Sequence, residues 1–351
     1  MSRTLRANLL LLVTAAIWGS AFVAQWLGAE ETGPASFNAA RNLLGSLALL
    51  PVVIGFDRVG KVGREQRRTL WRQAWKPGVL AGSVLTGGTL LQQAGLEYTT
   101  AGNASFITGL YLVFIPLASV LLRVRTSGWT WVAVVLALAG LYLLSIREGL
   151  HINTGDLLVL VCSFFWTAHI LVIDRVGSRV DSIRLCVVQF ATCSAISTLL
   201  ALVFETHPFS GLVEAAVPLA YTAFLSTGVG FTLQAIAQRD AKAAHAAIIM
   251  SLETVFGAVA GVLWLAERMD LRGVTGCALM LAAVIVAQLG NLPKPQPGEP
   301  ADRARHLVGA PRWPSGSVEC RSSAGVTCRT TWPGGAPRTD RFRLVALRIE
   351  W

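Results

Sequence analysis

Four ionisable side chains stand within long apolar stretches: Arg41, His169, Glu253 and, near one end of its stretch, His245. A charged group in lipid is costly and usually faces a cavity or a partner. Glu253 lies about nine residues into its run, roughly 13 Å at 1.5 Å per residue, close to the middle of a bilayer. Its short side chain cannot reach water from there, so the acid has to be neutral, paired or hydrated. A carboxyl group that gains and loses a proton as access alternates would couple proton movement to a solute. The competing role is structural, an acid hydrogen-bonded to neighbouring helices. Arg41 lies about five residues, some 7–8 Å, into its run. It is near enough to an end to snorkel, so anchoring and packing compete with solute binding. His169 and His245 suit satisfied core or interfacial histidines as well as ligands.

Other polar and aromatic groups are candidates to line a cavity: Trp18, Gln92, Gln93, Asn103 and Thr108, then Tyr111, Trp166, Gln189 and Gln234. Rings and amides suit a mainly apolar pocket for amphiphilic solutes, although helix packing explains any one of them alone. Catalytic signatures are missing: the sequence contains no GxSxG, HExxH or phosphate-binding loop. No enzyme activity, cofactor or metal is expected, and any drive must come from a gradient or exchange. Cys162, Cys186, Cys193 and Cys277 lie in apolar runs and read as small buried hydrophobes. Cys320 and Cys328 fall in a polar tail, and no disulfide framework is implied.

The elements that must carry these residues follow from composition. Of 351 residues, 53% are hydrophobic and 14% charged, with mean hydropathy +0.56. Soluble domains carry about a quarter charged residues. A helix needs about 20 apolar residues to cross a bilayer, and lipid demands that spanning backbone be helical. Ten runs qualify: 8–28, 36–56, 77–95, 102–122, 127–146, 155–174, 183–204, 216–235, 244–266 and 271–290. The first is too long for a cleaved signal segment and is expected to remain as a span. With the N-terminus inside, sixteen Lys and Arg fall on inner loops and helix ends. Only Arg147, Arg268 and Arg272 fall outside. That bias predicts cytoplasmic termini in the cell (inner) membrane. The net charge of +10 therefore reads as topology rather than a nucleic-acid surface.

The chain also repeats. Moved by 142 positions, Ala101–Leu122 falls on Ala243–Trp264, with Leu110 on Leu252, Tyr111 on Glu253 and Phe114 on Phe256. Leu91-Gln92 meets Leu233-Gln234, and a looser offset of 148 sets Trp18 on Trp166. Each half holds five spans, an odd number, so the second runs inverted through the membrane, as in many secondary transporters. The expected fold is all-α: ten transmembrane helices in two inverted five-helix repeats, 1–150 and 151–292. Residues 293–351, rich in Pro, Gly, Ser and Arg, are expected to form a disordered basic tail. Small residues at spacing four, Gly78/Gly82 and Gly257/Gly261, would let helices approach closely. Expected partners are a small-molecule substrate, a coupled proton and the lipid bilayer, with no nucleic acid; a second copy of the chain is a further candidate. A carrier competes with a membrane-embedded enzyme or scaffold, but an enzyme would need a clustered catalytic set.

Particular motifs carry a family likeness. They are Ala16-Ile-Trp-Gly-Ser20, Ala40-Arg41-Asn-Leu-Leu44 followed by Pro51, Gly95-Leu-Glu-Tyr-Thr-Thr100 and Phe106-Ile-Thr-Gly-Leu110 with Pro116. In the second half they are Ser251-Leu-Glu-Thr-Val255, Leu265-Ala-Glu-Arg268 and Gly273. Over about residues 8–290 the chain resembles the EamA-type branch of the drug/metabolite transporter superfamily. The resemblance implies a ten-helix inverted-repeat carrier with a central cavity, usually an exporter of small metabolites or drugs. Two departures stand out: Thr254 follows Glu253 where the family often has Pro, and Arg123 and Arg125 replace an acid after the fourth span.

Overall fold

The computed structural model describes residues 3–99, 101–123, 126–145, 153–264, 269–289, 318–322 and 326–330. Each of the ten apolar runs is helical. The first three are α1 (Arg3–Glu31), α2 (Pro34–Val59) and α3 (Arg64–Gly95). The fourth divides into α4 (Ala101–Gly109) and α5 (Tyr111–Leu121), and the fifth is α6 (Gly128–Ser145). Then come α7 (Thr154–Val176) and α8 (Ser182–Phe204). The eighth run is α9 (Ala216–Tyr221), a π-helical stretch over Thr222–Phe231, and α10 (Thr232–Ala237). The ninth divides into α11 (Ala243–Met250) and α12 (Glu253–Trp264), and the last is α13 (Leu271–Leu289).

Among the described residues, seven helices are long and apolar enough to cross a membrane, and two shorter apolar helices cover Phe106–Leu121 and Gly128–Leu144. The count falls short of ten partly because α3 is diluted by Gly, Ser, Thr and Gln from Pro77 onward. α3 also starts thirteen residues earlier than the run at 77 suggests. Its first turns hold Arg, Glu and Gln, which favour helix although they do not favour lipid.

Local signals explain the boundaries. Pro34 opens α2, where its fixed φ is pre-set for a first turn. Asn153 and Asp156 form a capping box on α7, and the Asp181 carboxylate accepts from the Arg184 backbone N–H at the start of α8. The two interruptions inside apolar runs are alike. Leu110 N–H bonds to Ile107 O at 3.2 Å and Leu252 N–H to Ile249 O at 3.1 Å, one tight three-residue turn in each. Gly109, a poor helix former, precedes the first turn. Ser251 precedes the second, its hydroxyl donating back to Ile248 O at 2.8 Å.

α2 is inside-out relative to a helix of a soluble bundle. On α2 the buried side chains include Asn38, Arg41, Asn42 and Ser46, whereas Leu43, Leu47 and Ile54 are about half exposed. Apolar groups outward and polar groups inward is the arrangement a lipid solvent favours. The packing has a pairwise pattern. α2 runs along α8 and α6 along α13. α3 packs on α7, as α10 and the π segment pack on α1. α3 packs on α8, as the π segment packs on α2. α12 packs on α1, as α4 and α5 pack on α7. Across the α2–α8 crossing, the Ser46 hydroxyl donates to Val187 O at 3.0 Å and the Ser194 hydroxyl to Ala39 O at 2.9 Å. Close approach depends on small residues, as expected for Gly78 and Gly82, where a Cβ would strike Val188 and the backbone of Gln189 on α8. Gly257 meets Gly19 on α1 in the same way.

Residues Met1–Leu292 form one compact unit and Pro293–Trp351 another. The expectation that the tail lacks structure is corrected at ten residues. Val318–Ser322 and Val326–Thr330 pair as an antiparallel two-stranded sheet with Cys320 opposite Cys328. Val318, Cys320 and Ser322 alternate with Glu319 and Arg321, and the second strand alternates similarly, a period-two pattern hidden within a polar composition. The rest of the tail lies outside the described residues.

Candidate functional site

A cavity opens where the two interrupted helices meet α1, α2, α3, α7 and the π segment. Its wall includes Trp18, Gln25, Arg41, Tyr111, Trp166 and Glu253, completed by Phe22, Thr89, Gln92, Thr108, Ile170, Ser226 and Phe231. Its volume is about 30 Å³, room for no more than a few waters.

Tyr111 and Glu253 are each the first residue after an interruption. The turn before each brings its side chain off the continuous helix path and into the interior. The Tyr111 hydroxyl donates to Glu253 Oε1 at 3.2 Å, so residues 142 positions apart bond across the cavity wall. Both are buried.

Arg41 does not snorkel. It is 4% exposed, with Nη1 donating to Gln25 Oε1 at 3.0 Å and Nε donating to Asn38 Oδ1 at 3.0 Å. Its guanidinium stands 5.9 Å from the centre of the Phe37 ring. These contacts turn it inward from α2, and among the described residues no carboxylate forms an ion pair with it. The contacts keep the side chain inside the protein, with neutral partners, rather than at an exposed surface.

The aromatic wall is built from both halves. Trp18 and Trp166 have ring centres 6.0 Å apart, and Phe231 lies 4.7 Å from Trp18 and 5.8 Å from Trp166. Trp18 Nε1 donates to Ser226 O at 3.2 Å, an oxygen of the π stretch. Gly230 makes room for the Trp18 ring, since a Cβ there would collide with Nε1. Gly88 lies beside Trp166 in a looser version of the same contact.

Of the residues expected from sequence, the cavity brings together Trp18, Arg41, Gln92, Thr108, Tyr111, Trp166 and Glu253. Gln92 Nε2 donates to Thr108 Oγ1 at 3.3 Å. His169 lies behind the wall, edge-on to Trp166 and Phe231, with Nε2 3.1 Å from Gln189 Oε1. His245 is away from the cavity, its Nε2 within 3.0 Å of Asn8 Oδ1 and 3.1 Å of Gln288 Nε2. Gln234 is buried outside the lining, and Gln93 reaches Gln25 O at 2.9 Å. Asn103 lies on α4, with its side chain outside the described residues. Sequence reasoning overlooked Gln25, Phe22, Thr89, Ser226 and Phe231. Trp18, Phe22 and Gln25 fall at i, i+4 and i+7, so helical periodicity from Trp18 would have found two of them. Among the described residues, no group of three or more His, Cys, Asp or Glu is assembled to hold a metal.

An all-helical body of long apolar helices around a cavity where polar groups converge is that of a multi-pass membrane protein. The chain belongs to the EamA-like transporter family, which matches residues 5–146 and again 153–288. It is 33% identical over 288 residues to an uncharacterized transporter of Archaeoglobus fulgidus, covering 82% of this chain and 87% of that one. It is 20% identical over 276 residues to the uncharacterized transporter YoaV of Bacillus subtilis, covering 77% and 92% respectively. A protein of known crystal structure superposes with a TM-score of 0.67 at 17% identity, over 81% of this chain and 97% of that one, a likeness of fold alone.

Proposed function

We propose that the chain is a secondary carrier that moves small organic metabolites or drugs across the cytoplasmic membrane by alternating access. Export is the direction proposed, with drive from a gradient or from exchange. The observation that carries the reading is the Tyr111–Glu253 hydrogen bond, which ties the two interrupted helices together at the cavity wall. Breaking that bond would let the helices part, and a proton on or off Glu253 is a direct way to break it. The water-scale cavity fits a closed conformer that has to widen before an organic solute enters.

In this reading residues 1–150 and 151–292 are inverted repeats with ten spans in all, and both termini are cytoplasmic. Support for the repeat comes from the two separate family matches, whose starts are 148 positions apart and whose ends are 142 apart. The reciprocal Ser46 and Ser194 bonds support it as well, since 194 and 187 are 46 and 39 moved by 148. The cavity sits where such repeats would rock against each other.

Counterflow in proteoliposomes tests the function. The purified chain should accumulate labelled solute against a preloaded unlabelled pool, saturably and with pH-dependent flux. Glu253→Gln keeps the shape and an acceptor for Tyr111 but cannot exchange a proton. It should fold normally and lose at least tenfold in flux. A well-folded Glu253→Gln protein with unchanged pH-dependent flux would remove Glu253 from coupling. No counterflow with any solute would favour a scaffold.

A further inference from the structure

We propose that Arg41 is the recognition point for the anionic group of the transported solute, so that the cavity selects organic anions with an apolar body. The inference rests on the carrier reading and narrows its substrate class. Arg41 is the cation of the cavity wall, and its two bonded nitrogens are satisfied by the neutral amides of Gln25 and Asn38. An amide partner orients a guanidinium without neutralising it. A buried cation left without a counter-charge is expensive, and a ligand that supplies one recovers that cost on binding.

At the position 148 residues later, on α8, the chain carries a neutral side chain instead. Gln189 lies 148 positions after Arg41, and Cys186 lies 148 after Asn38. Gln189 Nε2 donates to Cys186 Sγ at 3.5 Å, the same i−3 direction as the Arg41–Asn38 bond. Its carbonyl oxygen meets His169 behind the aromatic wall rather than lining the cavity. The helix crossing thus tolerates a neutral, internally satisfied side chain at this place. The first half instead carries a cation turned into the cavity. Beside it Trp18, Trp166 and Phe231 present the apolar surface for the rest of the solute. Glu253 is the acid of the same wall, already taking a hydrogen bond from Tyr111, so the wall is most receptive to an anion when that acid carries its proton.

Three probes with one ring and one chain length separate the charge classes: 3-phenylpropanoate, 3-phenylpropanol and 3-phenylpropylamine. Binding to the full-length protein in detergent, read by calorimetry, should favour the propanoate at least tenfold over the other two. Arg41→Gln should abolish that preference with little change in the unliganded thermal midpoint, and Arg41→Lys should restore part of it. Glu253→Gln, an uncharged stand-in for the protonated acid, should bind the propanoate at least as well as the natural chain. Should Arg41→Gln fail to fold, Gln25→Leu, which frees Nη1, should still weaken propanoate binding several-fold relative to the alcohol. Equal or tighter binding of the amine or alcohol, no binding of the propanoate, or propanoate binding indifferent to Arg41→Gln would overturn the proposal. Counterflow of an amine without anion binding would sink the anion site and leave the carrier. Anion binding without any counterflow would do the reverse.

Discussion

The α2–α8 pair is fastened at both ends, and the two fastenings use different chemistry at corresponding places. At one end Asp57, near the close of α2, holds the guanidinium of Arg184, in the first turn of α8. Arg67 of α3 adds a contact to Asp57 at 3.0 Å, Asp181 lies 3.4 Å from Arg184, and the Arg184 guanidinium stands 5.7 Å from the centre of the Trp71 ring. At the other end Glu205, just past α8, takes the backbone N–H groups of Ala35 and Ser36 at 2.8 and 3.2 Å, together with the Ser36 hydroxyl. Glu205 lies 148 positions after Asp57, and Arg184 lies 148 after Ser36. The carboxylate is therefore kept in both places while its partner changes, from a buried cation to the open N-terminus of a helix.

The difference matters because the two partners have different costs when abandoned. Arg184 and Asp57 have side chains only 5% and 4% exposed, so each is the buried counter-charge of the other, with the more exposed Arg67 and Asp181 as secondary partners. The N-terminus of α2 carries only partial charge, and its N–H groups can turn to water if the carboxylate leaves. Gly33, the residue before α2, has no side chain to cap the helix, and Glu205 supplies that cap from α8. In the proposed orientation the fully ionic fastening is cytoplasmic and the capping one faces outward.

Asp57→Asn should therefore be the most damaging change, costing up to about 3–5 kcal/mol because the buried Arg184 keeps only Asp181, 3.4 Å away and itself partly exposed, as a counter-charge. Thermal unfolding in one detergent, natural chain against variant, reads this. A loss below about 1 kcal/mol would mean that Asp181 or water already compensates Arg184. Glu205→Gln should cost less, about 1–2 kcal/mol, since the amide oxygen still accepts at the helix N-terminus while the charge there and the acceptor for the Ser36 hydroxyl are lost. A cost equal to that of Asp57→Asn would erase the distinction between the two ends.

How much of this could be read from the sequence depends on what lipid enforces. The ten helical positions were legible because a bilayer rejects unpaired backbone, which makes composition alone diagnostic. The interruptions at Leu110 and Leu252 were visible only as an alignment of Tyr111 with Glu253. A break of one or two residues between helices leaves no composition signal in an apolar run. Arg41 was placed in its helix, but whether it snorkels depends on Gln25 and Asn38, and Gln25 passed unnoticed as one amide in a long first run. Asp57 and Glu205 fall just past the apolar runs that end at 56 and 204, although the 148 offset that pairs Trp18 with Trp166 also pairs them. His169 and His245 show the converse: a polar residue within an apolar helix need not face the cavity, because helix packing also consumes hydrogen bonds.

The smallest effect probes the electrostatics of the capping end alone. Glu97, in the turn after α3, has its carboxyl raised above the usual range, first by partial burial and then by the nearby Glu205 charge. A raised value means the folded state disfavours the ionised form. The penalty is present when Glu97 is ionised and disappears as pH falls below the ordinary carboxylate range, where folded and unfolded chains are both protonated. Glu97→Gln should therefore raise the thermal midpoint slightly at pH 8 and leave it unchanged near pH 4. Solvent screening keeps the gain modest. In a Glu205→Gln background the gain at pH 8 should shrink, because one of the two causes is gone, while in an Asp57→Asn background it should persist. Equal gains in both backgrounds would show that burial alone sets Glu97, and that the charge of the capping fastening does not extend past its own hydrogen bonds.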